Sequence, residues 1–580
     1  METASGESLF SGPTRMKLPR LGPSAAAGLL FSGLLGTLTA APPESGPSTL
    51  GRLFRDVTAE AGITFRHHSS ADKKYILESM SGGVALFDFD NDGLVDIYFL
   101  DSPTVDTAKD PKAARSALYR NLGHGKFDDV TDKAGVGQTG WAMGVCVADV
   151  DGDGFKDLYV TGFGRNHLYH NHGDGTFADI AEQAGVRADG WSTGCGFADY
   201  DRDGRLDLFV SRYVKIDLDH LPAFGRDKNC QYRGVPVQCG PRGLPGESDL
   251  LFHNEGEGRF AEVGAKAGVS DAKGYFGLGV AWFDADADGW LDLYVADDSS
   301  PSLLYLNQKD GTFKEVAFPM GVAVSEDGTE QGGMGVTVGD FDNSGRLSLY
   351  KTNFAEEYNN LYQNDGAAWT DVSFRSRTAQ SSVPHVGWGT AFLDYDNDGW
   401  LDILAVNGHV YPQLDQARGG PAAAYRQRKL LYHNRRDRTF DEVAGRLGPA
   451  LAEERVSRGL AVGDLDNDGR LDVVINNLDG SPQLLRNELE DAGNWLSVNL
   501  TGKGGNRDAI GAIVRVKAGE LSLMRLVQSG TGYLSQDDMR RHFGLGKEGQ
   551  ADTIEVRWPD GTTSRRENVK ANQIVEIRQP

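Results

Sequence analysis

Seven short stretches of this chain space carboxylates so that they could wrap a hard cation. Six follow D-x-D-x-D-G-x-x-D in full. They supply Asp88, Asp90, Asp92 and Asp96; Asp149, Asp151, Asp153 and Asp157; Asp199, Asp201, Asp203 and Asp207; Asp284, Asp286, Asp288 and Asp292; Asp394, Asp396, Asp398 and Asp402; and Asp464, Asp466, Asp468 and Asp472. The fifth copy in chain order keeps Asp340 and Asp342 but carries Ser344 and Ser348 in place of the other two acids. Oxygen donors at positions 1, 3, 5 and 9 around a glycine turn are a donor set that suits calcium. A single copy reads equally well as a solvated acidic turn. Repetition at one place in a longer unit points to metal, and the expectation is about six calcium ions, with the fifth loop weakest because it offers fewer anionic oxygens.

Other reactive-looking residues carry less. GWSTG at Gly190–Gly194 matches a nucleophile-elbow pattern around Ser192, but the same place in other repeats reads GWAMG and GWGTA and leads into a strand. His167, His170 and His172 resemble a transition-metal cluster. Yet His170, His253 and His433 hold one position of a recurring strand, which is structural repetition. No paired-cysteine zinc pattern, phosphate-cradling glycine loop or haem motif is present, so no catalytic residue is assigned.

The formal charge of −24 over 580 residues has a local origin, because 26 of the 83 acids sit in the seven loops. Without a basic stripe interleaved with aromatics, nucleic-acid binding is excluded as a reading. Arg15, Lys17 and Arg20 precede an apolar run from Ala25 to Ala40, which predicts a signal peptide over residues 1–40 and a linker over 41–51. An uncleaved anchor is the alternative, although the run is short for a span and no later segment could cross a bilayer. The expected location is therefore periplasmic, cell-surface or secreted, where calcium is plentiful enough to fill weak loops. In such a compartment Cys230 and Cys239, inside the irregular stretch NCQYRGVPVQCG, are expected to form a disulfide. Cys146 and Cys195 lie in equivalent strands, three and four residues before the first Asp. Period-two alternation puts them on opposite faces, so both are expected to be free thiols.

These loops must be positioned by a repeated frame. A Gly-led alternating strand precedes each loop (GVALFD, GVCVAD, GVAWFD) and a second follows it (DIYFL, DLYVT, DLYVA). A third strand recurs as LYRN at Leu118, LYHN at Leu168 and Leu431, and LLRN at Leu484; a fourth recurs as FDDV at Phe127 and FDEV at Phe440. Four strands repeated seven times predict an all-β, seven-bladed β-propeller over residues 52–490. The seventh unit lacks a fourth strand, and a spare copy, FRDVT, stands at Phe54. Pairing of the two would close the ring and remove its open edges.

The loops resemble the FG-GAP/VCBS repeats of integrin-α-like propellers. Residues 491–580, with NWLSVNL at Asn494, RDAIGAIVRV at Arg507, QSGTGYLSQ at Gln528, HFGLG at His542 and VRWPDG at Val556, look like an ASPIC/UnbV domain. Together with CQYRGVPVQCGPRGLPG at Cys230, the chain is similar to the bacterial cartilage acidic protein 1-like family. The tail also reads by itself as a separate small β-rich domain packed on the propeller, and calcium removal is expected to disturb it less than the blades.

In an up-and-down blade the acidic hairpins share one face with the turns between third and fourth strands. All long insertions, residues 66–82, 101–117, 212–249 and 407–430, fall on the other. Binding loops concentrate where a rigid scaffold displays variable segments, so the candidate ligand residues are His67, His68, Lys73, Lys74, Arg212, Tyr213, Arg233, Arg242, His409, Tyr411 and Arg426. This partly basic set suits a ligand with acidic or hydroxyl groups. The resemblance implies a binding or adhesion module for an extracellular carbohydrate or protein ligand. The alternative is an extracellular hydrolase or lyase working from the same face through His67 or His409.

Overall fold

A computed structural model describes residues 54–580 apart from 111, 367, 418–423 and 479. The signal peptide and linker expected over residues 1–51 lie outside the described residues. Among these, no helix is long and apolar enough to cross a membrane.

The acidic hairpins join the first two strands of seven four-stranded antiparallel sheets, each a blade of the propeller. In the first blade Val84–Phe87, Asp96–Phe99, Ala117–Asn121 and Phe127–Asp129 pair in chain order. The Gly-led strand is innermost, and its sequence explains why. Each blade's inner glycine abuts a backbone carbonyl of the next blade, so the inner strands converge more closely than a side chain would allow. A Cβ at Gly83 would lie 2.9 Å from Met143 O in the second blade, and one at Gly459 would lie 2.3 Å from Gly82 O. The last contact brings the seventh blade back to the first.

The seventh sheet is completed as expected. Phe54–Asp56 pairs antiparallel with Gln483–Asn487, Phe54 opposite Asn487 and Asp56 opposite Leu485. The core lies in layers between neighbouring blades, as where Val84, Leu86 and Ile97 of the first pack with Ala461, Val474 and Leu484 of the seventh. Fully burying one such side chain is worth roughly 1.5–3 kcal/mol. The sequence reading missed a one-turn helix after several fourth strands, such as Thr131–Ala134, which ends at left-handed Gly135.

Layering also corrects the cysteine assignment. Cys230 and Cys239 are bonded as expected, but so are Cys146 and Cys195, whose Cα atoms are 5.8 Å apart. The two strands do present these residues on opposite faces. They belong to adjacent blades stacked face to face, however, so opposite faces meet in one layer, where both cysteines are buried.

The tail contains a four-stranded sheet (Ile513–Ala518, Leu521–Leu526, Gln550–Arg557 and Thr563–Lys570) and a three-stranded one. It is more than a domain packed on the outside. The segment QSGTGYLSQ runs into the propeller axis and meets the inner strand of every blade. Gln536 exchanges backbone hydrogen bonds with Val84 and Leu86, and Gly532 does so with Val336. Val145 N donates to Leu534 O, and Ser529 Oγ to Val147 O. A Cβ at Gly530 would strike Cys195 O, Gln528 reaches Trp282 O, and Gly532 lies against Thr390. In the seventh blade Val462 N donates to Oδ1 of Asp537, the residue that follows this segment. Such close backbone approach requires the glycines of this segment.

Candidate metal hairpins and ligand cavity

The hairpins share one construction. In the first, Asp88 accepts from the backbone N–H groups of Asp92 (3.1 Å) and Gly93 (2.9 Å), so the chain folds around the first carboxylate. Asp92 turns back to accept from Leu94 N at 2.9 Å. The ninth-position Asp96 is fully buried and accepts from Phe89 N and Asn121 N at 3.0 and 2.7 Å, tying the loop to the third strand. Asp88, Asp90 and Asp96 converge with oxygens within 4.8 Å of one another, as do Asp149, Asp151 and Asp157.

These carboxylates are crowded and short of partners. Buried oxygens of Asp90, Asp199, Asp207, Asp284 and Asp396 have no hydrogen-bond donor. Burial, reinforced by neighbouring carboxylates, pushes Asp96 and Asp292 up to about 8 and Asp149, Asp199, Asp402 and Asp464 up to about 7. Clustered buried oxygens lacking donors fit a hard divalent cation, which would make the ionised form favourable. Asp340 in the fifth loop accepts from Ser344 N and Gly345 N at 2.9 Å, so the turn persists without two of its acids.

Basic side chains also reach these clusters. The third-strand residue before the recurring Asn is Arg120, His170, His253, His433 or Arg486 in five blades. Arg120 lies 2.6 Å from Asp90 and 2.8 Å from Asp92. His170, His253 and His433 lie 3.2, 3.0 and 3.3 Å from the ninth-position Asp157, Asp207 and Asp402. In these blades the repeated position thus sets a basic side chain beside the carboxylates. The tail reaches the same hairpins: Asp149 N donates to Asp508, Arg557 to Asp284 at 3.2 Å, Arg540 to Asp464 O at 2.7 Å, and His542 sits 2.7 Å from Asn397.

On the opposite face the insertions converge over the axis and enclose a cavity of about 320 Å3. Of the expected ligand residues, Tyr213, Arg242 and Tyr411 line it. The others do not. His67 is buried, 3.0 Å from Ser81 Oγ, and His68 bonds Asp101 at 2.7 Å. Lys73 is buried against Ser69 and Ser70, whereas Lys74 pairs with Asp72 at 3.2 Å and Arg426 is exposed. Arg212 is paired with Glu247, and Arg233 with Glu356. His409 is sealed beneath Tyr232, Phe354 and Tyr411, with ring centroids 5.2–5.5 Å away. It accepts from Val410 N at 2.9 Å, and burial pulls it down to about 3, so its ring is neutral.

Cavity residues that the sequence did not single out include Tyr232, Phe354, Trp388, Asp298 and Glu357. Tyr213 OH donates to Asp298 at 2.6 Å, and Gly332 N to Glu357 at 2.7 Å. Below them the tail supplies the support: Tyr533 OH donates to Met80 O at 2.6 Å, and its ring packs edge-on against Trp388 at 4.8 Å.

Family models match the two parts of the chain separately. An FG-GAP-like repeat matches residues 88–160, 149–210 and 284–350, and an ASPIC and UnbV domain matches residues 502–580. Human cartilage acidic protein 1 is 30% identical over 328 residues, and the mouse protein 29% over 327. The chain carries FG-GAP-like repeats and an ASPIC and UnbV domain, and about half of it is similar to cartilage acidic protein 1. Each alignment takes in 55% of this chain, and the chain spans about half the length of the curated relatives it matches, 46% and 47%. Solved structures resemble it loosely. An Agrocybe aegerita lectin described as recognising non-reducing terminal N-acetylglucosamine covers 70% of this chain and 94% of its own, at 15% identity and a TM-score of 0.38. The V. cholerae biofilm matrix protein Bap1 covers 89% and 63%, at 12% identity and a TM-score of 0.31.

The ASPIC and UnbV match thus includes the segment that fills the axis. Its glycines were visible in QSGTGYLSQ, and a Gly-rich run between two strands can signal close backbone approach. Asp298 and Glu357 left no comparable signal, because each lies in an ordinary connection between second and third strands of a different blade.

Proposed function

We propose that this protein is an exported, calcium-stabilised propeller that acts as a binding module, with the axial cavity on the insertion-rich face as its ligand site. The observation that carries the reading is the division of labour between faces. The acidic hairpins and the tail occupy one, and the aromatic-walled cavity opens on the other. Calcium would be held by the six aspartate tetrads from Asp88 to Asp472, where it would neutralise carboxylates and rigidify the turns. Two disulfides agree with an oxidising compartment, and export would expose the loops to calcium. The ligand is an extracellular carbohydrate or a protein segment, the classes suited to a half-open cavity with aromatic walls and a few convergent polar groups. Burial of both His67 and His409 speaks against the hydrolase reading that assigned them a proton-transfer role. The test is a glycan and peptide array probed in calcium buffer with the whole protein and with Tyr232→Ala. Saturable binding that the variant loses supports the site; binding that is indifferent to Tyr232 would move it elsewhere.

A further inference from the structure

We propose that the cavity takes its ligand through a cationic nitrogen, an ammonium or guanidinium group seated between Asp298 and Glu357. The inference rests on the cavity being the ligand site and adds what the ligand must carry.

The two carboxylates flank a single residue. Gly332 N donates to Glu357 Oε2 at 2.7 Å, and a Cβ on Gly332 would lie 3.0 Å from Asp298 Oδ1. Asp298 accepts from Tyr213 OH at 2.6 Å and Ser299 Oγ at 2.9 Å, both neutral donors. Among the described residues neither carboxylate has a salt-bridge partner. The nearby Lys351 is buried, with its ammonium 3.4 Å from Ser302 Oγ, and it attracts Glu357 from beyond salt-bridge distance. Arg242 and Lys228 line the cavity as exposed residues, and Arg242 favours the ionised form of Asp298 from a distance. Buried charges in proteins are ordinarily paired, since isolated ones are costly to desolvate. Both carboxylates are part-buried, no cation lies within salt-bridge distance of either among the described residues, and the open space beside them is where one would sit.

The walls decide which kind of cation. Tyr213, Tyr232, Phe354 and Tyr411 surround the space, with Tyr232 and Tyr411 centroids 5.4 Å apart. Aromatic faces attract weakly hydrated organic cations, whereas calcium requires six or more oxygens and gains little from rings. Around the cavity Arg212 and Arg233 are committed to Glu247 and Glu356 and His409 is neutral, so an anionic ligand would depend on Arg242 and Lys228 at the exposed rim. Burial also holds Glu357 up to about 7, which an incoming positive charge would reverse.

The experiment titrates the whole protein calorimetrically at pH 8 in calcium buffer with three probes of one shape: choline, the neutral 3,3-dimethylbutan-1-ol, and the anionic 3,3-dimethylbutanoate. Choline should bind at least about tenfold more tightly than the alcohol, as expected for a desolvated cation against rings and carboxylates, and the acid should not bind. Glu357→Gln should remove most of that preference without lowering the melting temperature, and Tyr232→Ala should weaken choline severalfold. Equal affinity for choline and the alcohol, or a silent Glu357→Gln, overturns the inference. If the alcohol binds and Tyr232→Ala abolishes it, the cavity survives as a ligand site and only the cation is lost. If no probe binds and Tyr232→Ala leaves array binding intact, both readings fall.

Discussion

The side-chain amide of Asn121, in the first blade, donates at 2.8 Å to the carbonyl oxygen of Leu465, in the acidic hairpin of the last. The same bond recurs around the ring. Asn171 reaches Phe89, Asn254 Val150, Asn307 Tyr200, Asn364 Ala285, Asn434 Phe341 and Asn487 Tyr395, at 2.8–3.3 Å. Each blade therefore clamps the second residue of its predecessor's acidic loop. Loop shape and ring closure depend on one set of hydrogen bonds.

Asn121→Ala should destabilise the protein by roughly 1–3 kcal/mol, the cost of leaving a buried carbonyl without its donor. Urea unfolding measures it. The alanine should also weaken metal binding in the seventh hairpin, which holds Leu465, more than in its own. Unchanged stability would mean that water or a shifted side chain replaces the amide. Removing the strand Phe54–Asp56 should be worse, because Gln483–Asn487 would become an open edge prone to pairing with other chains. Light scattering would detect that association.

Chelation should lower the melting temperature. Extracellular loop sites with dissociation constants of ~10⁻⁴–10⁻³ M contribute about 0.4–1.4 kcal/mol each at millimolar calcium, if independent. Differential scanning calorimetry with and without chelator tests this. The axial segment changes which region responds. Because residues 528–538 touch every inner strand, and Asp508, Arg540 and Arg557 grip the hairpins, hydrogen exchange in the tail should rise together with that of the blades. This replaces the expectation that the tail would be spared. Ser344→Asp combined with Ser348→Asp should add a site to the fifth loop, visible as extra stoichiometry in a calcium titration.

Both disulfides should appear in non-reducing peptide maps, leaving no free thiol. Reduction of Cys230–Cys239, which closes a loop of separation 9, should cost ~2–3 kcal/mol in the chain-entropy picture. Cys146–Cys195 closes a longer loop, of separation 49, and should contribute somewhat more. A map showing free Cys146 would restore the face-alternation argument.

The repeat was legible because each blade states its own local chemistry. Alternating strands, the acidic turn and the spare strand at Phe54 fix the blade pattern and its closure without reference to distant residues. What was illegible depended on contacts between units. Cys146 and Cys195 looked incompatible within one sheet and meet across two. Tyr213 and Tyr411 were identified by the insertions that carry them, whereas Asp298 and Glu357 occupy ordinary connections and join only where separate loops converge. The tail's axial segment was identified as a motif but not as a plug, since its residues answer to backbone groups in seven different blades.

Glu357 ties stability to binding through pH. Burial is the largest cause of its rise to about 7, with Asp298 adding to it; the Gly332 N–H, Lys351 and the Phe354 backbone act the other way. Arg242 and Lys228 are the other charged groups lining the cavity. A carboxyl whose folded value is raised above its unfolded one stabilises the fold fully below the unfolded value. It loses that contribution as pH rises through the folded value. The free protein should therefore lose stability between pH ~4.5 and ~7 at this position. Glu357→Gln should relieve the loss, raising stability above pH 7 by something on the order of 1–2 kcal/mol. Choline binding should move oppositely. Its affinity should increase from pH 5.5 to 8 as Glu357 ionises, and the Gln variant should show a flat, weak profile. Thermal melts and calorimetric titrations across that range measure both. A variant that binds choline less well yet melts higher at pH 8 would show that this carboxylate is held for a ligand at the expense of the fold; a variant that melts lower would show that it serves the fold itself.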